Sequence, residues 1–479
     1  MKKIILLIVL GYSIAGIAQS KLERADKYFD EFMFEKAIAL YNDLASESRK
    51  TSIHVIQRLA DAHFNMSEYQ NAKDWYVKLY AIQGQNVGES NIIKLVQCLK
   101  ASMEPEKADQ LLKDFYSSDQ DRLNMILAQK EQLESLKEEN PKFEIKKLAF
   151  NSKKSDFAPA MFNDMLVFAS ARDTLRSSGK IYPWNNQPYL DVYLTNPNVA
   201  DYVPEKFLDN MDSDFHDSNV AFAPGSQTVY FTRNYIKKNK LNANSDGLSN
   251  MQILKGSIYQ NKLIEVTSLS FNSKNYSCGH PAISPDGKFL YFTSNMPGGY
   301  GHSDIYMVEL GMDGDAISPP KNLGKQINTK GREMFPFVDG DTLYFSSDGH
   351  YGLGGLDVFG SAILSENKFE LPTNLGEPIN GNMDDFSLIY NAKKDLGFFA
   401  SNRFGGAGDD DIYQINKAKP VDCLVYSGYV LNKNTGNPIA MSKIEIYDGA
   451  TGFASALQTD ENGYFNITLP CNKENKLVF

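Results

Sequence analysis

The stretch Cys278–Val308, CGHPAISPDGKFLYFTSNMPGGYGHSDIYMV, contains a unit that recurs along the chain. The unit is a Ser-Pro-Asp-Gly turn, a Leu-Tyr-Phe strand, a glycine-rich loop and an Asp-Ile-Tyr strand. Clear copies occupy Glu333–Phe359 and Asp384–Tyr413, and weaker copies occupy Asp156–Tyr193 and Ser218–Ile253. The aligned phenylalanines are 53 to 63 residues apart, at Phe168, Phe231, Phe292, Phe345 and Phe399. A repeat of this length, made of short strands and turns, predicts the blades of a β-propeller.

Each copy supplies the residues of about four strands, as a propeller blade requires. Asp286-Gly287 predicts a tight turn, because glycine adopts positive φ without strain. Phe289–Thr293 is aromatic and β-branched, as in a buried strand. The five copies predict a five-bladed ring over residues 141–418. A sixth blade is an open alternative, because the inserts Arg172–Leu190 and Asn234–Asn250 are long enough to contain further strands.

One aspartate recurs in four of the five copies, at Asp191, Asp304, Asp357 and Asp411. These residues could form a ring of metal-binding or catalytic carboxylates. Alternatively, each could open a strand and accept hydrogen bonds from amides of the preceding glycine-rich loop. We favour the structural role, because a residue needed by every blade recurs with the blade whereas a catalytic residue need not. The acidic run Asp409–Asp411 lacks the alternating ligand spacing of a calcium loop, so no metal or cofactor site is predicted.

The first 18 residues, MKKIILLIVLGYSIAGIA, predict a cleaved secretory signal peptide. Two lysines precede 14 mostly apolar residues, Ile4–Ile17, and small residues surround the expected cleavage point. The apolar run is shorter than the roughly 20 residues that a membrane-spanning helix needs. The expected location of the mature protein is therefore the periplasm. The formal net charge of −10 argues against nucleic acid as a partner.

Residues 19–140 have the apolar period of helices, with an internal repeat. Ala37, Ala72 and Ala108 are 35 and 36 residues apart, and aromatic residues recur beside them. This spacing is typical of tetratricopeptide repeats, in which small residues let paired helices approach closely. It predicts an all-α array with a concave surface for a protein partner.

Residues 421–479 change character again, to alternating strands separated by turns such as Thr435-Gly436 and Asn462-Gly463. The segment resembles carboxypeptidase regulatory-like domains, which are small transthyretin-like β-sandwiches without peptidase chemistry. It ends on an apolar strand with no closing turn, so we expect the sandwich to be truncated. Cys423 and Cys471 flank the segment, and an oxidising compartment would permit a disulfide between them. The sequence leaves that disulfide open.

The S-P-D-G, L-Y-F-x-S and G-G-x-G-x-x-D-I-Y signatures resemble the propeller repeats of TolB-type and Bacteroidetes OmpA-family periplasmic proteins. The order of signal peptide, tetratricopeptide repeats, propeller and sandwich resembles the PorE-type proteins of the type IX secretion and gliding machinery. The resemblance implies a non-catalytic scaffold at the outer membrane. Its partners would be envelope proteins of the secretion complex. A missing OmpA-like domain beyond residue 479 would anchor it to peptidoglycan.

No residue pattern predicts catalysis in this chain. The six histidines are scattered without a zinc spacing, and no G-x-S-x-G nucleophile elbow occurs. We therefore expect no enzymatic activity and assign no catalytic residue. Two alternatives stay open: a glycan- or peptide-binding propeller, and the accessory part of a hydrolase whose catalytic domain lies beyond residue 479. A specific site would then lie in the two inserts or at the loop tips, which do not repeat.

Overall fold

The computed structural model describes residues 20–47, 50–138, 143–173, 179–199, 201–418, 422–448, 452–470 and 475–479. The predicted signal peptide, residues 1–18, lies outside these ranges. The chain divides into two compact units at Lys417/Ala418. The first unit contains helices and a propeller, and the second contains two small sheets.

Seven short helices precede the propeller in the described part of the chain. They are α1 (20–30), α2 (Phe34–Glu47), α3 (Ile53–Asn65), α4 (Tyr69–Gln83), α5 (Glu89–Ala101), α6 (Pro105–Phe115) and α7 (Gln120–Glu138). The alanines at the predicted spacing, Ala37, Ala72 and Ala108, are fully buried where consecutive helices pack together. None of the helices in the described ranges is both long and apolar enough to cross a membrane.

The prediction of an extended all-α tetratricopeptide array is wrong. The described helices belong to the same compact unit as the propeller and bond directly to its loops. Lys100 Nζ of α5 donates to the Gly352 carbonyl at 2.5 Å, and the side chains of Gln129 on α7 and His350 are 2.9 Å apart. Small residues at a regular spacing are required wherever short helices pack closely. The period therefore predicted the helix pairs but not what they pack against.

The propeller begins with β1 (Phe143–Lys147) and continues through five blades in chain order. Blade 1 contains β2 (Asp156–Phe162), β3 (Met165–Ser170), β6 (Asp191–Thr195) and β7 (Glu205–Lys206), with a hairpin of β4 (Ile181–Tyr182) and β5 (Gln187–Pro188) inserted. Blade 2 contains β8 (Asp217–Phe222), β9 (Thr228–Asn234), β12 (Met251–Tyr259) and β13 (Lys262–Ser268), with a hairpin of β10 (Ile236–Lys237) and β11 (Lys240–Leu241) inserted.

The remaining blades follow the same order. Blade 3 contains β14 (Cys278–Ile283), β15 (Phe289–Ser294), β16 (Asp304–Glu309) and β17 (Lys321–Asn322). Blade 4 contains β18 (Glu333–Asp339), β19 (Thr342–Ser347), β20 (Asp357–Ser365), β21 (Lys368–Phe369) and β22 (Thr373–Asn374). Blade 5 contains β23 (Asp385–Asn391), β24 (Leu396–Ser401) and β25 (Asp411–Lys417), and β1 completes it.

The ring closes in blade 5, where β1 pairs antiparallel with β25 from Phe143↔Lys417 to Lys147↔Tyr413. The innermost strands β2, β8, β14, β18 and β23 contact one another in that circular order. The ring thus has five blades. In the described residues the two long inserts form short hairpins, so they do not supply the sixth blade that the sequence left open.

The second unit contains β26 (Asp422–Tyr429) paired with β29 (Tyr464–Pro470), and a sheet of β28 (Gly452–Gln458), β27 (Lys443–Asp448) and β30 (Asn475–Val478). Ile446, Ile467 and Leu469 form its small core. Cys471 lies outside the described residues, and the side chain of Cys423 is also outside them. The disulfide between them therefore stays a prediction.

Four of the five innermost strands begin with a fully buried carboxylate, at Asp156, Asp217, Glu333 and Asp385. Each accepts a hydrogen bond from the amide four residues earlier. The three aspartates also pair with an arginine at the end of the second strand, namely Arg172, Arg233 and Arg403. Glu333 instead accepts hydrogen bonds from the hydroxyls of Thr329 and Ser347, both at 2.7 Å. Burial without a cation raises the pKa of Glu333 to about 8.

Glu333→Gln should flatten the pH dependence of stability. The folded protein holds a proton on Glu333 that the unfolded chain releases above about pH 4.3. Stability therefore falls as the pH rises from there to about 8, by up to roughly 1.4 kcal/mol per pH unit from this group. Urea unfolding at pH 5.5 and pH 8 measures the loss. Exposed Asp286→Asn is the control, and an unchanged pH slope in the Gln variant would contradict the assignment.

Candidate functional site

The five innermost strands share one irregularity where they face the propeller axis. Each carries a shift in its pairing register with the second strand of its blade. The residue at the shift has a left-handed backbone, with φ between 40° and 54°, at Ala158, Asn219, His280, Phe335 and Ser387. Non-glycine residues rarely adopt this conformation unless the surrounding structure requires it. The blade fold therefore bends every inner strand at the axis, and the side chain at the bend differs from blade to blade.

Aromatic side chains close the axis near these bends. The ring of Phe335 stacks on His280 at 3.9 Å and 7°, and it contacts Phe386 at 5.2 Å and Phe157 at 6.3 Å. Burial lowers the pKa of His280 to about 3, so its ring is uncharged. The backbone amide of Phe335 donates a hydrogen bond to Nδ1 of His280 at 3.3 Å. We call Phe157, His280, Phe335 and Phe386 the axial plug.

A cavity lies on each side of the axial plug, and both are lined by Asn219, His280 and Phe335. The upper cavity, on the side where the inner strands begin, has a volume of about 550 Å³. The lower cavity has a volume of about 370 Å³, and its wall includes Pro159, Pro281 and Pro336. The loops on the upper side are the ones to which the helices bond.

The wall of the upper cavity exposes mostly apolar surface, and polar side chains are interspersed in it. Its hydroxyl groups belong to Ser155, Ser218, Thr232, Ser277, Thr293, Ser294 and Ser303. Asn185, Asn219 and Asn295 add amides, and the aromatic side chains are Phe157, Tyr182, Trp184 and Phe335. Such a wall offers apolar and aromatic faces together with a few polar groups, as small-molecule pockets commonly do.

Among the described lining residues, Thr293 has a buried hydroxyl without a hydrogen-bond partner. Thr293 is 7% exposed, and its Oγ1 is buried and unpaired. The corresponding hydroxyl of the preceding blade, on Thr232, accepts a hydrogen bond from the His280 amide at 3.0 Å. Unpaired buried hydroxyls are costly and uncommon in native proteins. The Thr293 hydroxyl is therefore unsatisfied beside the cavity, and a ligand would reach it only after the Thr293 side chain rotates.

The first insert, Arg172–Leu190, links this cavity to the helices. Trp184 stacks on Phe32 at 5.3 Å, and its Nε1 donates to the Asn65 carbonyl at 2.8 Å. Tyr182 contacts His216 edge-on at 4.4 Å. Tyr182 and Trp184 thus belong to the wall, where the sequence predicted a specific site. The second insert, Asn234–Asn250, supplies none of the described lining residues.

Two charged side chains line the upper cavity, Arg332 and Asp410. Burial raises the pKa of Asp410 to about 7, and the neighbouring carboxylates of Asp384 and Asp409 add to the shift. Arg332 donates through Nε to Asp348 at 2.7 Å, and its side chain is 38% exposed. Sequence reasoning missed Arg332 and Thr293, because neither belongs to a motif. The residues at the inner-strand bends differ from blade to blade, and this variation is the feature of the sequence that could have indicated the site.

The four recurring aspartates line neither cavity. Asp304 accepts hydrogen bonds from the amides of Tyr300 at 2.6 Å and Gly301 at 3.0 Å. Asp357 and Asp411 accept from amides of their own glycine-rich loops, and Asp191 pairs with Lys206. All four are buried at separate strand starts, so the structure does not bring them together. Within the described ranges, no group of three His, Cys, Asp or Glu residues could hold a metal ion.

Comparison with known proteins gives matches at the level of structure. No protein-family model and no curated protein matches this chain. An endo-arabinase from Bacteroides thetaiotaomicron VPI-5482 has 12% identity and a TM-score of 0.38, covering 58% of this chain and 98% of that chain. Bacillus subtilis levansucrase has 11% identity and a TM-score of 0.40, covering 62% of this chain and 92% of that chain. The β-xylosidase RS223 has 14% identity and a TM-score of 0.36, covering 62% and 98%. With TM-scores below 0.5, these likenesses assign no activity to this chain.

The comparisons nevertheless correct the expected family. The matched structures are glycoside hydrolases and a levansucrase, so the resemblance to OmpA-family, PorE-type proteins is wrong. The non-catalytic scaffold of the type IX secretion machinery was inferred from that family and is withdrawn with it. The expectation of no enzymatic activity came from the lack of a catalytic motif, and the matches to enzyme structures contradict it. The physical reason is that the turn, strand and glycine-rich loop signatures are what a blade needs to fold. Residues that a blade needs in order to fold do not identify one family of propellers.

Proposed function

We propose that this protein binds a carbohydrate in the upper cavity. The observation that carries the proposal is the wall itself, which combines aromatic and other apolar surface with interspersed hydroxyl and amide side chains. A sugar offers hydroxyl groups to polar partners and C–H faces to aromatic rings. The volume of about 550 Å³ lies within the usual range of ligand pockets. A peptide is less suited, because the axial plug closes one end of the cavity to an extended chain.

Thr293→Val should weaken carbohydrate binding about 5- to 10-fold, which corresponds to one hydrogen bond. The same change should leave the free protein equally or more stable, because it removes an unpaired buried hydroxyl. Calorimetric titration with the tightest ligand of an oligosaccharide panel measures the affinity, and urea unfolding measures the stability. Ser346→Ala is the matched control, since Ser346 is also buried and unpaired but does not line the upper cavity. Equal affinity in the two variants would argue against the upper cavity as the site.

A second candidate function is cleavage of the bound glycan, and Asp410 favours it. A glycosidase acid must keep its proton near neutral pH, and burial raises the pKa of Asp410 to about 7. Glycoside hydrolysis usually needs a second carboxylate, whereas Asp410 is the one carboxylate among the described lining residues. Release of reducing ends by the wild-type protein, lost in Asp410→Asn with binding retained, would support cleavage. Binding without release would leave carbohydrate binding alone.

Secretion and partners remain proposals from the sequence. We propose that residues 1–18 direct export and are removed, so that the mature protein reaches the periplasm. N-terminal sequencing of the protein from its native host tests this, and an intact Met1 would contradict it. The predicted envelope-protein partners and the link to peptidoglycan beyond residue 479 have no supporting observation in the described residues.

A further inference from the structure

We infer that the carbohydrate bound in the upper cavity carries a carboxylate, and that the terminal guanidinium nitrogens of Arg332 hold it. This inference rests on the proposed function and adds the chemical class of the ligand. It would make the protein a receptor for acidic oligosaccharides, such as those containing uronic acids.

The first observation is how little of the Arg332 guanidinium the protein uses. The backbone amide of Arg332 donates to Asp348 Oδ1 at 2.6 Å, and its Nε donates to Asp348 Oδ2 at 2.7 Å. Its two terminal nitrogens make no hydrogen bond to another described residue. The side chain is 38% exposed and lines the upper cavity. Asp348 therefore fixes the orientation of the guanidinium and leaves its outer edge free.

The second observation is the charge of the wall. Arg332 is the one lysine or arginine among the described lining residues, and Asp410 is the one carboxylate. Burial raises the pKa of Asp410 to about 7, so below that pH it is mostly neutral. His280 is uncharged, and burial also lowers the pKa of His302. An anion that enters the cavity thus meets one cation and little repulsion from the wall.

The carboxylates behind Arg332 are already engaged. Asp348 is 6% exposed and is bonded to Arg332 itself. Asp384 accepts hydrogen bonds from Tyr69, the Leu356 amide and Asn402. Both carboxylates are held by protein donors but keep their charge, and against the effect of burial they raise the pKa of Arg332. Arg332 therefore stays protonated, and a ligand carboxylate binds it in competition with these two anions.

The geometry favours a carboxylate over a hydroxyl group as the partner of this edge. The two terminal nitrogens of a guanidinium present parallel N–H donors that match the two oxygens of a carboxylate. Such charge-assisted pairs contribute about twice as much as neutral hydrogen bonds. The unpaired Thr293 hydroxyl in the same wall then remains for a sugar hydroxyl.

The test compares matched acidic and neutral ligands on the purified full chain. The probes are galacturonate, glucuronate and mannuronate oligosaccharides and their carboxyl-reduced counterparts, titrated by calorimetry at pH 6. We expect at least one acidic probe to bind about tenfold or more tightly than its reduced form. Arg332→Gln should lower the acidic affinity about 10- to 100-fold and leave the reduced form unchanged. Arg332→Lys, which keeps the charge but not the paired donors, should lie between them.

Controls separate a lost contact from a lost fold. Arg122→Gln is the matched substitution, because Arg122 donates to the Gly349 carbonyl and does not line the cavity. If Arg332→Gln does not fold, the wild-type protein still tests the inference through salt. The acidic affinity should fall several-fold between about 50 and 500 mM NaCl, and the neutral affinity should not.

The outcomes distinguish the inference from the proposed function. Equal or tighter binding of the reduced probes overturns the inference and leaves carbohydrate binding in place. Preference for a sulfated sugar over every uronate also overturns it. Failure to bind any oligosaccharide, acidic or neutral, overturns both.

Discussion

Arg403→Met is expected to lower the free energy of unfolding by about 3–5 kcal/mol. Arg403 pairs with Asp385 at 2.6 Å, and Asp385 is fully buried at the start of the innermost strand of blade 5. Arg403 also donates to the Pro378 carbonyl at 2.9 Å. Methionine can keep the packing against Phe399 and Tyr413 but leaves a buried carboxylate without its cation. The loss should therefore come from charge rather than from volume.

Urea unfolding of the purified protein measures this effect, and two further variants locate it. Arg58→Met removes a surface ion pair with Asp30 at 3.4 Å and should cost less than about 1 kcal/mol. Asp385→Asn combined with Arg403→Met should recover part of the loss, because it removes the unpaired charge. Burial already raises the pKa of Asp385 to about 6 with Arg403 present. The Arg403→Met variant should therefore be least stable at high pH. A loss of stability that does not depend on pH would contradict the unpaired charge of Asp385 as its cause.

Gly354→Ala is expected to cost about 3 kcal/mol or more, near the upper end for overpacked sites. A Cβ atom on Gly354 would lie 2.6 Å from the Gly381 carbonyl oxygen and closer still to that of Met383. Both oxygens belong to the backbone that leads into blade 5, so no side chain can rotate away. The same crowding exists at Gly301 and Gly408, where other blades meet. The glycine-rich loops therefore set how closely adjacent blades approach.

The control for this prediction is Gly381→Ala on the facing loop. A Cβ atom there would meet only Asp385 Oδ2, at 3.6 Å, which is an ordinary contact. We expect that variant to stay within about 0.5 kcal/mol of the wild type. A similar loss of stability in both variants would mean that an added methyl group anywhere in these loops destabilises the fold. Gly354 would then not set the spacing between the blades.

The repeated features of the fold were the predictable ones. The period of Phe292 and its counterparts predicted five blades, because every blade needs a buried aromatic strand at the same place. The helices illustrate the limit. Lys100 is an ordinary helical lysine in the sequence, yet its side chain is buried against Gly352 and Tyr351 of blade 4. A local period in the sequence predicts that a helix has an apolar face. It does not predict which surface packs against that face.

The candidate site was harder to predict, because its residues are individual rather than repeated. Thr232 and Thr293 occupy equivalent strand positions, but among the described residues only the Thr232 hydroxyl has a partner. The sequence cannot separate them, since the difference depends on an amide of the neighbouring blade. The insert that contains Trp184 was identified only as a place where variation occurs. Its contact with Phe32 required the position of the helices.

The strand pairing that closes the ring also determines how the chain would transmit a pull. Phe143 at the start of β1 lies directly opposite Lys417 at the end of β25. A tensile load applied to the chain at Phe143 and at Lys417 would therefore act first on the β1–β25 pair. Since the two strands enter and leave at the same end, the load would open their hydrogen bonds one after another. The mechanical strength of the propeller would then be that of a single strand pair, whatever its thermodynamic stability.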